Sequence, residues 1–450
     1  MLRHLRPDAS SRGFAVGIYL EHLEEASFLY EQRLALLDDS EVPWPDLCDF
    51  EKRLEAHLDA LALGGVLALS VCRQQAPQGD TGEYQATLSV ICRHRRLDLL
   101  RAALEPLDAA DDDRIRAAGD ALSREMPPAW SGAIGHMVTA GHAGLRRIAA
   151  RVIGFRRLSA VPQLIASVNA GGSYALPEVV WALGQLRAAE AHPVLWRTFE
   201  AEENKGIKKA AALALLRVGD RRVVKACLRE PRRNPWLWSV AGLAGGRDDL
   251  RTLLNVHARG KAGPECLLAM GLLGDVSSIE PLMAALENEA TAETAATALH
   301  LITGAELYER AVVPETPSEH ELFEDEREGE ERDGLTGSTV TQLTRDAARW
   351  KAWWAENASR FQPLVRHRGG SPYSPLSVLE TLTGERNHRQ IRELAHQELM
   401  IRYGADVPFE TDMLVVDQKR ALARLEQWAV TAQAMYRPGD WYFAERPLES

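Results

Sequence analysis

A period of about thirty residues constrains this chain more than any single motif in it. Gly154, Gly184, Gly219, Gly245, Gly274 and Gly304 follow one another at 30, 35, 26, 29 and 30 residues. Each closes a segment rich in Leu and small residues with helical spacing: RIAARVIG (147–154), PEVVWALG (177–184), AALALLRVG (211–219), WSVAGLAG (238–245), LLAMGLLG (267–274) and AATALHLITG (295–304). A glycine in that place suits a left-handed helix cap. A second helix is predicted seven to nine residues further on, where Pro162, Pro193 and Pro281 fit a first turn whose N–H groups have no intrahelical partner. One such hairpin cannot bury its apolar face alone, so neighbours must stack. The period is shorter than the ~33-residue ankyrin and ~34-residue tetratricopeptide patterns, whose T-P-L-H and W-x-x-L-G-x-x-Y signatures are missing. The fold class expected is all-α, an α-solenoid of HEAT-like repeats between helical N-terminal and C-terminal regions.

The chain has 450 residues, enough for two or three helical units. Residues 1–132 read as an N-terminal helical region, with helices over about 15–37 and 48–65 interrupted by Pro43 and Pro45. Residues 133–310 are the repeat array. Residues 311–342 read as a flexible acidic insertion, because Val313 to Ser338 is dominated by Glu and Asp and offers few apolar groups to offset the entropy of ordering. Residues 343–450 form a C-terminal helical region that opens with Trp350, Trp353 and Trp354 on one helix face. That triplet suits either a partner hot spot or, as the favoured reading, a capping helix docked on the apolar end of the stack.

A net charge of −11 argues against a general nucleic-acid coat and against an anionic membrane surface. The five cysteines are scattered without C-x-x-C spacing, which points away from a disulfide framework or zinc ribbon and towards a reducing cytoplasm. The first 26 residues show no apolar stretch of signal-peptide length, and no run of eighteen apolar residues occurs, so a cytoplasmic location is expected.

Phosphate-loop, nucleophile-elbow, zincin and dinucleotide-binding spacings are all missing, so no catalytic residue, cofactor or metal is expected. His388, Glu393 and His396, with His367 as a conceivable further ligand, are read as a solvated charged helix. His57 beside Asp59 is read as part of a structural helix face. The densest basic run is Arg217, Arg221, Arg222, Lys225, Arg229, Arg232 and Arg233; Arg146, Arg147, Arg151, Arg156 and Arg157 could join it along one side of the stack. Such a stripe could take phosphates or an acidic protein, pair with carboxylates elsewhere, or hold the chain's own acidic insertion. The seven residues of the run, with Trp236 and Trp238, are the candidate partner-binding residues. The two tryptophans lie two positions apart, so one of them should face away from the core.

The segments LEHLEEASFLYEQR (20–33) and FEKRLEAHLDAL (50–61), with the repeats behind them and a W-x-x-W-W helix near the end, resemble an uncharacterised bacterial HEAT-repeat family associated with type VI secretion gene clusters. The likeness spans most of the chain and rests chiefly on Glu24, Glu25, Phe28 and Arg33 and on Arg53, Leu54, Ala56, His57, Leu58 and Asp59. It departs at Ala60, where the family pattern often has glycine. The resemblance implies an accessory or adaptor role in delivering a secretion effector or spike component, and no reaction. The expected function is therefore a non-enzymatic protein-binding scaffold with no membrane contact. A nucleic-acid-binding or base-acting protein on the same scaffold is the alternative, and a maturation enzyme or immunity protein ranks third; oligomeric state stays open.

Overall fold

The computed structural model describes residues 9–170, 176–229, 234–314 and 337–448. The N-terminal region holds α1 (Ala9–Asp38), α2 (Leu47–Leu63), α3 (Gly65–Gln75), α4 (Thr81–Arg93), α5 (Leu97–Leu104), α6 (Asp112–Glu125) and α7 (Ser131–Met137). Helices α4 and α5 are separated where Arg95 takes a left-handed φ of 54°. The repeats follow as α8 (Ala143–Arg156), α9 (Val161–Ala170), α10 (Leu176–Gln185), α11 (His192–Ala201), α12 (Lys205–Arg217), α13 (Arg222–Arg229), α14 (Leu237–Ala244), α15 (Arg247–Ala258), α16 (Pro264–Leu273), α17 (Ile279–Ala285) and α18 (Glu289–Thr303). The even-numbered helices α8 to α18 stack on one another in order, and each is also packed by an odd-numbered helix. This is the expected α-solenoid, and the layer extends backwards through α6 and α4 to α1.

Small residues set the spacing of that layer. A Cβ on Gly184 would lie 3.0 Å from Cα of Ala214, on Gly242 3.0 Å from Cα of Ala269, and on Gly271 2.7 Å from Cα of Ala298. Each contact joins a first helix to the next one, so backbone touches backbone and the apolar residues around it interdigitate tightly. Of the six periodic glycines expected to cap helices, Gly274 and Gly304 do so in the left-handed conformation, with φ of 73° and 67°, Gly219 takes it at 88° just past the end of α12, and Gly245 caps α14 in an extended conformation. Gly154 and Gly184 instead lie inside α8 and α10, where the small side matters: a Cβ at Gly154 would meet the Trp181 ring at 2.3 Å. Their cap positions fall to Arg157 and Arg187, both at positive φ. Pro162, Pro193 and Pro281 do sit in the first turns of α9, α11 and α17.

After the array come β1 (Tyr308–Pro314), β2 (Gly337–Leu343) and α19 (Ala347–Asn357). The stretch 311–342 is thus a flexible insertion neither at its start nor at its end: β1 and β2 pair antiparallel from Tyr308↔Leu343 to Pro314↔Gly337, helped by β-branched Val312, Thr339, Val340 and Thr341. The intervening acidic residues 315–336 lie outside the described residues. Helix α19 closes the stack: Trp350 is buried against the Met283, Leu286, Leu299 and Ile302 cluster and donates Nε1–H to the Thr344 carbonyl at 2.8 Å. Trp353 and Trp354 pack beside it and against Phe361.

The remaining chain forms β3 (His367–Arg368), β4 (Ser371–Pro372), α20 (Pro375–Thr383), α21 (Arg389–Tyr403), α22 (Val415–Ala432), β5 (Tyr442–Phe443) and β6 (Arg446–Pro447). It does not extend the stack. It folds back along the ends of the first helices: α21 lies on α12 and α14, β3 on α18, and α22 on α2. No single helix among the described residues is long and apolar enough to cross a membrane.

Substituting Gly271→Ala should cost about 1–3 kcal/mol, since the added methyl forces α16 from α18. Gly17→Ala, in α1 with open space around it, should stabilise by up to about 1 kcal/mol. Urea unfolding checks both; equal effects would mean that the helix spacing is not set at Gly271.

Candidate functional site: a charged seam and an outer groove

The C-terminal region is joined to the array by arginines placed on helix ends. Arg402 donates to the carbonyls of Gly242 (2.9 Å), Gly245 (3.3 Å) and Tyr442 (3.1 Å). Arg366 donates to Leu273 (2.6 Å), and Arg368 to Leu272 (3.1 Å) and to both oxygens of Glu398. Apart from that of Tyr442 in β5, these carbonyls end α14 and α16, where the last turn has no intrahelical donor and the macrodipole is negative. The backbone N–H groups of His367, Gly369 and Gly370 complete the contact by donating to Gly274, Leu301 and Ile302. All three guanidinium groups are buried, and Arg366 lies 3.6 Å from the Tyr373 ring centroid and 4.5 Å from that of Trp441. Burial, then Arg402, pull the Arg366 pKa down to about 10.

Towards the N-terminus the seam becomes a cleft of mixed charge. Arg33, buried and paired with Glu51 at 2.8 Å, also donates to the Asp412 and Met413 carbonyls. Arg151 pairs with Asp412, Arg157 with Asp406, and Gln185 donates to Glu410. Arg389 reaches Asp38 at 2.9 Å and Glu393 at 3.2 Å. Burial and the neighbouring Asp412 push the Glu410 carboxyl up to about 7. Asp412, although burial acts to raise it, is held below the ordinary range by Arg151 and Arg389. Burial and Arg217 push His396 down to about 3, so it is neutral, near the Val407 carbonyl.

Among the described residues, the basic candidate partner-binding side chains are divided between the seam, ion pairs and solvent. Arg217 is buried in the cleft. Arg221 pairs with Asp249 and donates to the Ala244 carbonyl. Arg222 pairs with Asp220, which also accepts from Trp196 Nε1–H and contacts His192. Lys225 and Arg229 are exposed. Arg232 and Arg233 lie outside the described residues. Trp238 is buried and Trp236 half-buried at the start of α14, as the two-residue offset requires. The further basic residues do hold their own chain, yet what Arg151 and Arg157 hold is 406–412; Arg147 pairs with Asp112 and Glu178, and Arg156 donates to the Met126 carbonyl.

The His388, Glu393, His396 helix is not a solvated one. In α21, Arg392, His396, Glu398 and Arg402 are all buried, while His388 caps the helix by accepting from Gln390 N–H. His367 is buried beside Phe361, and no cluster of three metal-ligating side chains occurs among the described residues. His57 meets His22, with Nδ1 atoms 3.0 Å apart, whereas Asp59 pairs with Arg93. Sequence reasoning missed Arg366, Arg368, Glu398, Arg402, Glu410 and Asp412. The only hint was the Arg-x-Arg before Gly369 and Gly370.

On the opposite layer, Leu97, Leu100, Leu104, Met137 and Leu145 from α5, α7 and α8 line an apolar groove of about 560 Å³, rimmed by Arg101, Glu105, His136 and His142.

No protein-family model matches the chain, and no curated protein matches it. Among solved structures it is similar to that of Kap121p bound to Ste12p, at 12% identity and a TM-score of 0.36, over 94% of this chain and 49% of that one. The chain thus spans about half the length of the protein it matches, and a likeness of this size fixes neither family nor function.

Because Glu410 keeps its proton to about pH 7 in the fold but loses it near 4.5 when unfolded, its contribution to stability falls as pH rises between those values. His396 acts in the opposite direction, adding stability as pH rises from about 3 to 6.5. Comparing wild type with Glu410→Gln isolates the first effect: the stability of wild type relative to the variant should fall steadily from pH 5.5 to about 7 and then level. A difference that ignores pH in urea unfolding would contradict the assignment.

Proposed function

We propose that this protein is a non-enzymatic scaffold that holds a protein partner on the outer, second-helix side of its repeats. The observation that carries the reading is the division of surfaces. The chain's own C-terminal region occupies the first-helix ends, while the α5–α7–α8 groove presents apolar side chains with a charged rim. Contiguous apolar surface framed by polar groups marks interaction sites, and a trough between helices suits the apolar face of a partner helix. Arg221 and Arg222 are paired with carboxylates, so that of the described basic run only Lys225 and Arg229 are exposed cations outside such a pair among the described residues, which favours protein over nucleic acid as the partner. The resemblance to the type VI secretion-associated family supplies the partner class: an effector or a spike component, met in the bacterial cytoplasm.

With the complete secretion gene cluster expressed, a photo-crosslinking residue at position 97 should capture a spike or effector protein. Met137→Asp should reduce capture at least about tenfold without moving the unfolding midpoint. Capture of neither class, or undiminished capture by Met137→Asp, would overturn the proposal.

A further inference from the structure

Two cavities lie in the seam between the array and the C-terminal region, of about 230 and 350 Å³, and they share Arg151, Arg389 and Asp412. The smaller is walled by Trp181, Leu213 and Ala214 on the array side and by Phe409 and Glu410 on the other. Its polar groups are incompletely used. Arg217, with only 8% of its surface exposed, has an Nε with no hydrogen-bond partner. Across the cavity, Asp412 has one carboxylate oxygen, Oδ1, that is buried and unpartnered. Gln397 Oε1 is a further unsatisfied acceptor on the lining. In the larger cavity the fully buried Arg33 likewise has Nη1 unpaired.

Leaving buried donors and acceptors unpaired is costly, more so when they are charged, so a group that satisfies both kinds at once is strongly selected. An anion alone would meet Glu410, Asp412 and Glu393, and a cation alone would meet Arg151, Arg217 and Arg389. Only a ligand carrying both charges gains on each side without a matching loss. The volume, at the low end for small-molecule sites, restricts it to a small molecule.

We infer that this cavity binds a small zwitterion of the α-amino acid or dipeptide class, its carboxylate on Arg217 Nε and its ammonium between Glu410 and Asp412. The Trp181 and Phe409 rings flank the aliphatic part. This goes beyond the scaffold reading and stands whether or not a protein partner docks on the outer groove. Burial, with Asp412 and Glu393, keeps the proton on Glu410 to about pH 7 against the opposing pull of Arg151 and Arg217. An arriving ammonium displaces that proton, so binding at pH 7 releases protons to the buffer.

The test is isothermal titration of the full chain at pH 7 with each of the twenty protein amino acids and glycylglycine, in two buffers of different ionisation enthalpy. Acetate, methylammonium and acetamide serve as probes carrying one charge or none. At least one zwitterion is expected to bind at least about tenfold more tightly than acetate or methylammonium, with an enthalpy that changes with buffer. Glu410→Gln should weaken that ligand about tenfold and remove the buffer dependence. Ala210→Phe, which fills the cavity from α12 and leaves every charge in place, should abolish binding. Absence of binding across the whole set overturns the inference. So does acetate binding as tightly as the best zwitterion, or unchanged affinity in Ala210→Phe.

Discussion

Three buried arginines on the carboxyl ends of stacked helices hold this molecule together. Arg366, Arg368 and Arg402 face one buried carboxylate, Glu398, leaving an excess of positive charge in a space without solvent. Isolated charges there would cost several kcal/mol apiece. The excess is met by helix ends: the last carbonyls of α14 and α16 point at the guanidinium groups, carrying partial negative charge that their own helices cannot satisfy. The exchange serves both sides, because the array needs donors for those carbonyls and the C-terminal region needs acceptors for its arginines. The C-terminal region is thereby pinned to one edge of the stack, from α1 and α2 at one end to α18 at the other.

That placement sorts the surfaces. The first-helix edge of the stack is taken by the chain itself, which leaves the groove of α5, α7 and α8 as open apolar surface on the outer layer. Between the two bodies the packing is imperfect where acidic residues 410 and 412 meet Arg151 and Arg217, and the seam keeps cavities with unsatisfied polar groups.

The array was legible because its physics is local. Each thirty-residue unit repeats its own apolar spacing, and the prolines mark first turns whatever the neighbours do. The tryptophan triplet was legible for the same reason, since i, i+3, i+4 spacing declares one face. The role of Gly154 and Gly184 was not: a glycine that ends a helix and one that admits Trp181 or Ala214 look alike in one dimension, and only the helix partner separates them. The seam was hidden more deeply. Helix α21 reads as charged on every side, yet the acceptors that let Arg402 go inside lie some 160 residues earlier, at Gly242. Arg217 illustrates the converse: it belongs in sequence to a basic run but is buried in the seam, while Arg221 and Arg222 in the same run find carboxylates.

The most direct measurement is hydrogen–deuterium exchange of wild type and Arg402→Met. If the arginine-to-helix-end contacts pin the C-terminal region, the variant loses protection at the amides of His367, Gly369 and Gly370 and through α21, while α4, α6 and α8 keep theirs. Unchanged protection at those amides, or an equal loss across the whole array, would contradict the central claim.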